Sequence, residues 1–376
     1  MMLPSSSLFG ALSLGFALLQ TKVNAATWSL STTINPTDFD NQFNYYNQTD
    51  PTHGLVLYQD YQDAKANNLT GIAHGNYFMR VDTTEVQLAG RRSIRLESKQ
   101  TYQDGVYVLN VSHVPIGCAA WPAFWTLTEN ESAWPQGGEI DILENFNDLY
   151  NGPAATLHTQ DSCIVPKASE SGMLLSNNCS AYTPNNDGCS VVMNGTSKPT
   201  WGTAFNQQGG GIVAMERALG STGSGIRVWI WPQGQEPSDL QSSSNSVDPS
   251  TWGTPNADFN VANNCHTEFG PHRIIFDITL CGDAGSRTYN TSGCNLQYPA
   301  CSYQVGYNGS SFNQSYWSLG GLRVFATGGG TDNAQTSPNT HKEVFTSLSA
   351  ASLMSVPVQA GSLITLLLCG AALLLI

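Results

Sequence analysis

The chain has 376 residues, with 28 acidic and 15 basic side chains and a formal net charge of -13. Charged residues make up only 11% of the sequence, against about 25% in an average soluble domain, and the acidic balance argues against a nucleic-acid-binding surface. The 40% of apolar residues, with 9 Trp, 14 Tyr and 14 Phe, can form a large core and exclude a chain that is disordered throughout.

The N-terminal segment has the pattern of an export signal. An apolar run over residues 8–19 is followed by Val23-Asn24-Ala25, which has the small residues that a signal peptidase needs, although the usual basic start is missing. We expect a signal peptide over residues 1–25 and a mature chain from Ala26. In an exported chain, N-x-[ST] sequons predict glycosylated surface positions. Nine are present, at Asn47, Asn68, Asn110, Asn130, Asn178, Asn194, Asn290, Asn308 and Asn313.

Short β-rich runs between Gly, Pro and Asn clusters predict an all-β domain over residues 26–326. The runs cover 106–114, 124–127, 139–146, 154–158, 211–215, 226–231, 273–280 and 321–325. In the run 226–231, Ile226, Val228 and Ile230 alternate with larger or charged side chains, as in a strand with two different faces. Such strands with long turns predict a sandwich of two antiparallel sheets.

The most informative stretch runs from Trp134 to Phe146, with the sequence WPQGGEIDILENF. On a regular strand Glu139 and Asp141 point to one face, whereas Glu144, five positions after Glu139, points to the other. One extra residue, a β-bulge near Ile142 or Leu143, would return Glu144 to the side of the first two carboxylates. We therefore predict a bulged strand that keeps its three carboxylates together.

Such a carboxylate set matches the needs of glycoside hydrolysis with retention. That reaction uses one carboxylate as nucleophile and one carboxylic acid as proton donor, about 5 to 5.5 Å apart. A hydrogen bond between Asp141 and Glu139 could keep the nucleophile ionised while the cluster keeps Glu144 protonated. A solvated acidic strand face or a Ca²⁺ site is the alternative that the spacing leaves open.

Tryptophans near this stretch are candidates for stacking against sugar rings. Trp134, five residues before Glu139, and Trp252, in a Trp-Gly-Thr-Pro loop, are predicted to line a cleft. Trp125 lies four residues after Trp121 in an apolar strand, a pattern that is also common in a core, so its place in cleft or core stays open.

Nine cysteines are present, and Cys369 lies in a C-terminal tail that we expect to be removed. The other eight predict up to four disulfides in an exported protein, with a pairing that the sequence does not give. A metal cluster is the competing interpretation, but paired C-x-x-C spacings and His partners at fixed offsets are missing from the sequence.

The C-terminal end is apolar over residues 361–376, after a spacer at 352–360 and the small residues Ser349-Ala350-Ala351. This order predicts a glycolipid-anchor signal over 350–376, with Ser349 as the attachment residue. Residues 327–349 would form a Ser/Thr/Gly-rich stalk between domain and anchor. A transmembrane helix beginning near Val356 is the alternative.

The run Glu-Ile-Asp-Ile-Leu-Glu, preceded by Trp-Pro-x-Gly-Gly and followed by Leu157-His158-Thr159, resembles glycoside hydrolase family 16. More narrowly, it is similar to fungal endo-1,3(4)-β-glucanases, or laminarinases. Further matching pieces lie at 79–82, 121–125, 214–217, 228–229, 251–255 and 281–283, so that the likeness covers most of residues 28–326.

The resemblance implies a β-jelly-roll sandwich with a substrate cleft on its concave sheet. It implies Glu139 as nucleophile, Glu144 as general acid/base, Asp141 as the assisting residue between them, and His158 as a residue that tunes proton transfer. The extra residue in E-x-D-x-x-E separates this branch from members with E-x-D-x-E and favours glucans that contain β-1,3 linkages.

The sequence thus predicts a monomeric, GPI-anchored endo-β-glucanase on the extracellular face of the membrane, in the cell wall or secreted. Its partners would be β-glucan and, through the anchor, the outer leaflet. We expect neither a redox cofactor nor a catalytic metal, and leave a structural Ca²⁺ open. A cell-wall transglycosylase and a noncatalytic glucan-binding protein are the two alternatives.

Overall fold

The computed structural model describes residues 27–160, 163–194, 198–220, 223–261 and 265–327, which form two large antiparallel β-sheets. The strands are β1 (Trp28–Ile34), β2 (Phe43–Tyr45), β3 (Val56–Tyr58), β4 (Thr70–Ala73), β5 (Asn76–Arg80), β6 (Arg91–Ser93), β7 (Arg95–Ser98), β8 (Gly105–His113), β9 (Ala120–Thr128), β10 (Glu139–Glu144), β11 (Ala154–His158), β12 (Met173–Ser176), β13 (Cys189–Val192), β14 (Gly211–Ala218), β15 (Gly225–Pro232), β16 (Ser246–Val247), β17 (Ala257–Phe259), β18 (His272–Leu280) and β19 (Tyr316–Ala326). The α-helices are short: α1 (Phe39–Gln42), α2 (Tyr61–Ala66), α3 (Gly202–Gln207), α4 (Gly282–Thr288) and α5 (Cys301–Tyr307).

The first sheet has the strand order β16-β1-β19-β8-β14-β15-β17, with β5 also pairing with β19 and β4 with β5. The second sheet has the order β12-β13-β11-β10-β9-β18-β7-β2, and β3 and β6 form a separate parallel pair. Some neighbours in the sheets are distant in sequence: β1 pairs with β19, and β9 pairs with β18. The predicted all-β sandwich of two antiparallel sheets, the β-jelly roll, is confirmed.

The main core lies between the sheets, because each strand turns one face of alternating residues inward. Ile226, Val228 and Ile230 of β15 face it, as their spacing predicts, and they join Phe124 and Phe276 of the second sheet in one buried cluster. The rings of those two phenylalanines stack with centroids 4.7 Å apart. This dense interior supplies a rigid base for the second sheet, on whose opposite face the candidate site lies.

Four disulfides join the eight cysteines at residues 118–301, which confirms the predicted even set. The pairs are Cys118–Cys294, Cys163–Cys265, Cys179–Cys189 and Cys281–Cys301. All four connect loops or strand ends rather than the middles of neighbouring strands. Cys281–Cys301 fixes α4 to the start of α5, and Cys179–Cys189 closes a loop that leads into β13.

Every sequon asparagine is at least partly accessible, as glycosylation requires. Five are exposed and four are half-buried; the exposed ones are Asn47, Asn68, Asn130, Asn290 and Asn313. The half-buried Asn110 lies on β8 against Gly320. Glycosylation itself stays a prediction.

The expected processing signals lie almost wholly outside the described residues. The signal peptide over 1–25, the stalk over 327–349 beyond its first residue, and the anchor signal over 350–376 with Ser349 all fall there. Within the described ranges, none of the helices has the length and apolar character needed to cross a membrane. The described residues belong to one unit of the chain, Met1–Ser337.

Candidate active site

Strand β10 carries the three carboxylates, and a bulge brings them to one face. Against β9, Asp141 pairs with Trp125 but Leu143 pairs with Phe124, so one residue is extra on β10. The same shift appears against β11, between Asp141 and Glu144. The bulge predicted near Ile142 or Leu143 is therefore present.

A cleft of about 810 Å³ lies over the outer face of the second sheet, and all three carboxylates line it. The apolar residues between them are fully buried on the core side, with Ile142 and Leu143 at 0% exposure. The sequence alternation therefore places acid in the cleft and aliphatic side chains in the core. The extra bulge residue is what lets Glu144 share the cleft with Glu139.

The turn before β10 depends on two glycines. Gly137 and Gly138 have φ values of +85° and +76°, a region that favours glycine. A Cβ on Gly137 would lie 2.3 Å from Thr128 Oγ1, and one on Gly138 would lie 2.6 Å from Phe269 Cδ1. The two glycines thus allow this close turn, and Trp134 before it lines the cleft near the start of β10.

The carboxylates have raised pKa values because the site is desolvated. Burial, and next the neighbouring Asp141, raise the pKa of Glu144 to about 8. Burial and Glu139 raise the pKa of Asp141 to about 6. Burial also raises the pKa of Glu139, while His158 and the Trp134 indole act in the opposite direction. Near neutral pH, Glu144 is therefore the protonated member of the set.

His158 provides the positive charge of the cluster. Burial alone would lower its pKa, but the hydrogen bond to Asp141 and the nearby carboxylates raise the pKa of His158 to about 9. Its Nε2 lies 3.3 Å from Asp141 Oδ2, and its Nδ1 lies 2.9 Å from Asn186 Oδ1. With both ring nitrogens protonated, the imidazolium donates to both oxygens. The structure thus brings His158 together with the three carboxylates.

Glu139, Asp141 and His158 also place ligand atoms within 4.8 Å of one another, a spacing that could hold a metal ion. A metal needs an unprotonated histidine nitrogen that faces it, and here the nitrogen on the side of the carboxylates is Nε2. Here Nε2 faces Asp141 and carries a proton at neutral pH, since the pKa of His158 is raised to about 9 by its carboxylate neighbours despite burial. We interpret the group as a proton-sharing cluster.

Three tryptophans line the cleft: Trp121, Trp125 and Trp134. The open question about Trp125 is thereby answered in favour of the cleft, and Trp121 lies there too. Trp121 Nε1 donates to Glu144 Oε1 at 2.6 Å. Trp134 Nε1 is buried and makes no hydrogen bond of standard geometry among the described residues, but it lies close enough to the Glu139 carboxyl to lower the pKa of that group. A ligand hydroxyl that enters here is a suitable acceptor for it.

Trp252 does not line the cleft, so the prediction from the sequence is wrong for this residue. It is 6% exposed and packs on the outer face of the first sheet, with its ring 5.2 Å from Trp229 and 5.5 Å from Trp231. Its Nε1 donates to Asp239. Trp252 therefore covers a second, smaller core on the side of the molecule away from the cleft.

Several cleft residues were not found from the sequence. Asp277 of β18 accepts a hydrogen bond from Trp125 Nε1 at 3.2 Å, and burial raises its pKa well above the usual range while Arg95 opposes the shift. The Arg95 guanidinium lies 5.1 Å from the Trp125 ring and pairs with Glu97 at 2.8 Å. The sequence carried a partial signal for Asp277, because an acidic residue inside the apolar run 273–280 is unusual.

Comparisons with known proteins find relatives that match most of the chain. A family model described as "XgeA-like, catalytic GH16 domain" matches residues 43–325. The chain is 38% identical over 308 residues to a probable glycosidase of Schizosaccharomyces pombe, covering 80% of this chain and 70% of that protein. It is 33% identical over 346 residues to a probable endo-1,3(4)-beta-glucanase of Aspergillus fumigatus, covering 87% of this chain and 50% of that protein. The chain thus spans about half the length of several relatives.

Solved structures give the same result. A mutant laminarinase 16A that cyclizes laminariheptaose matches with a TM-score of 0.73 at 35% identity, over 80% of this chain and 100% of that one. Laminarinase 16A of Phanerochaete chrysosporium, with two β-glucans in its donor and acceptor sites, matches with a TM-score of 0.72 at 35% identity and the same coverage. An elongating β-1,3-glucosyltransferase of the same family matches with a TM-score of 0.71 at 32% identity, again with 80% and 100% covered.

Proposed function

The chain belongs to glycoside hydrolase family 16, a glucan-active family, and from that membership we propose that it is a retaining endo-β-glucanase for β-1,3 and mixed β-1,3/1,4 glucans. One observation carries the proposal: the bulge in β10 brings Glu139, Asp141 and Glu144 into a cleft lined by three tryptophans. A neutral polysaccharide also suits a cleft that binds through aromatic faces and hydrogen bonds.

In the first step, Glu139 attacks the anomeric carbon and forms a carbon–oxygen bond to the enzyme. The glycosidic bond breaks at the same carbon, and the departing oxygen takes the proton of Glu144. The electrostatics support these roles, because burial and Asp141 raise the pKa of Glu144 to about 8 and so keep it protonated at neutral pH. The Trp121 indole fixes that carboxyl by its hydrogen bond.

In the second step, Glu144 is ionised and removes a proton from water. The water oxygen attacks the anomeric carbon, the bond to Glu139 breaks, and the sugar leaves with its original configuration. His158 supports this step in two ways. Its imidazolium holds Asp141 in place through Nε2, and its positive charge stabilises the Glu139 carboxylate as that group leaves the sugar.

The direct test is digestion of defined β-1,3, β-1,4 and mixed-linkage glucans, with mass and NMR analysis of the products. We expect internal cleavage of chains that contain β-1,3 bonds and an initial β-anomer. Glu139→Ala should abolish turnover with the fold retained. Near-normal turnover by that variant, or inverted products, would contradict the mechanism, and no reducing sugar from any glucan would favour a noncatalytic binding protein.

Transglycosylation is the second candidate, since a structural relative is named an elongating β-1,3-glucosyltransferase. It uses the same covalent step but transfers the sugar to a glucan hydroxyl instead of water. Incubation at high oligosaccharide concentration separates the two: transfer yields products longer than the substrate, whereas hydrolysis yields only shorter ones.

We further propose that the protein is exported and held at the outer membrane leaflet by a GPI anchor. Four disulfides support export, because such bonds form and persist in oxidising compartments. When the full-length chain is expressed in cells, we expect a phosphatidylinositol-specific phospholipase to release the mature protein from the cell surface. Protein that stays membrane-bound after this treatment, or never enters the secretory pathway, would contradict the proposal.

A further inference from the structure

Two walls of the cleft are joined above its floor by one arginine. Strand β18 ends beside the Glu144 end of β10, and α4 follows it there. The loop 183–188 leads into β13 beside His158, which is paired with Glu139 at the other end of β10. Arg287 of α4 and Asp187 of the loop both line the cleft.

Arg287 spans the distance between these walls. Its Nη2 donates to Asp187 Oδ1 at 3.3 Å, and its Nη1 donates to the Asn185 carbonyl at 3.4 Å. We call this contact of Arg287 with Asp187 and Asn185 the Arg287 bridge. The three residues of the bridge line the same cavity as Thr156 of β11 and Ser190 of β13.

The backbone on both sides of the bridge is firmly held. On the α4 side, Asn147 donates to the Gly285 carbonyl at 2.7 Å and to Thr288 at 2.9 Å, and the disulfide of Cys281 fixes the helix start. A movement of this wall would break buried hydrogen bonds.

The loop side is held in the same way. The Cys179–Cys189 disulfide closes the loop, and Asn186 is bonded to His158 at 2.9 Å. The Asp187 amide donates to Thr183 Oγ1 at 3.2 Å. Both walls are thus held by bonds in which the Arg287 side chain takes no part.

The bridge itself is weak. The Arg287 and Asp187 side chains are 43% and 52% exposed, and exposed ion pairs are screened by salt and contribute little to stability. A polysaccharide chain that enters the cleft from the side can therefore displace the arginine, which then returns over the bound chain. A chain with a side branch would hold the bridge open.

We propose that the Arg287 bridge is a specificity-determining gate that favours unbranched glucan over glucan with side branches. The inference rests on the proposed glucanase function and extends it to the shape of the substrate. Its action needs no loop movement, only rotation of one side chain between two fixed walls.

The test compares linear laminariheptaose with the same chain carrying one 6-O-glucosyl branch. In wild type, kcat/KM should be higher for the linear chain. Arg287→Ala should raise the branched-to-linear ratio of kcat/KM about twofold to fivefold, the range that an exposed ion pair allows. The double charge swap Asp187→Arg with Arg287→Asp should return the ratio towards wild type. Arg92→Ala is the matched control, since Arg92 pairs with Asp82 and does not line the cleft.

Salt gives a second readout that needs no variant. Raising the ionic strength should increase the branched-to-linear ratio of wild type and leave that of Arg287→Ala constant. If the branched-to-linear ratio of kcat/KM changes neither with the Arg287→Ala substitution nor with salt, the proposed gate is wrong. If wild type cleaves neither oligosaccharide, the proposed glucanase function fails instead, so the two failures are distinct.

Discussion

At the scale of single residues, the environment of Glu144 decides the chemistry. Burial and the neighbouring Asp141 raise the pKa of Glu144, whereas the Trp121 indole, which donates to Oε1 at 2.6 Å, lowers it. A proton donor needs a pKa near or above the working pH. The tryptophan thus orients the acid and limits how far its pKa rises.

Trp121→Phe removes that donor while it keeps an aromatic ring. We expect the alkaline limb of the kcat/KM profile, which reflects Glu144 in the free enzyme, to move to higher pH. The rate at the optimum should fall about tenfold, because the carboxyl loses its fixed orientation. Trp125→Phe serves as control, since its indole donates to Asp277 instead. An unchanged alkaline limb in Trp121→Phe would show that the indole does not act on Glu144.

Glu144→Gln should lose activity and should become more stable relative to wild type as pH rises. Burial and Asp141 raise the pKa of Glu144 in the folded state from its usual 4.5 to about 8. The unfolded state therefore releases this proton first, and the wild-type fold loses stability between these two pH values. The glutamine variant has no such loss. Its unfolding free energy relative to wild type should grow by ~1 to 3 kcal/mol between low and high pH, measured by urea unfolding at each pH.

At the same scale, the sequence was enough to find the carboxylates but not their surroundings. Three acids in six residues stand out in a chain with 11% charged residues. Asp277 and Arg95 come from strands far apart in sequence, and only the pairing of β18 with β7 and β9 brings them beside Trp125. Trp252 was misplaced because a tryptophan in a loop shows no periodicity that tells one sheet face from another.

At the scale of elements, the alternation of apolar and polar side chains along a strand was the reliable signal for which residues face the core. It predicted which side chains of β15 face the core and that β10 needs one extra residue, since both follow from the two-residue period of a strand. Very short strands such as β6 and β16 escaped prediction. Their residues have no pattern of their own, and they are strands only because a partner lies beside them.

Two single-residue deletions in β10 test the bulge. Without Ile142, regular alternation still places all three acids on the cleft side, so we expect a folded protein with reduced but measurable glucan cleavage. Without Ile140, Asp141 turns towards the core beside buried aliphatic residues, which should destabilise the fold and abolish activity. Circular dichroism and reducing-sugar release measure both. Equal loss from the two deletions would contradict the bulge account.

At the scale of the whole molecule, the disulfides differ in how much chain they close. Cys118–Cys294 spans 176 residues, whereas Cys179–Cys189 spans 10. Replacing the first pair by alanines should lower the unfolding free energy by about 2 kcal/mol more than replacing the second, because a longer loop restricts the unfolded chain more. Thermal unfolding of the two double variants measures this, and a larger effect of the short pair would contradict it.

The pairing of β1 with β19 also sets the order of events during biosynthesis. The first strand leaves the ribosome about 290 residues before its neighbour, which at 5 to 20 residues per second is roughly 15 to 60 s. Within that interval Cys118 waits for Cys294, 176 residues further along the chain, for roughly 9 to 35 s at the same rate, and its thiol is free to react with the wrong cysteine. The unpaired edge of β1 and the free thiol of Cys118 are therefore open to wrong partners until the later strands and cysteines arrive.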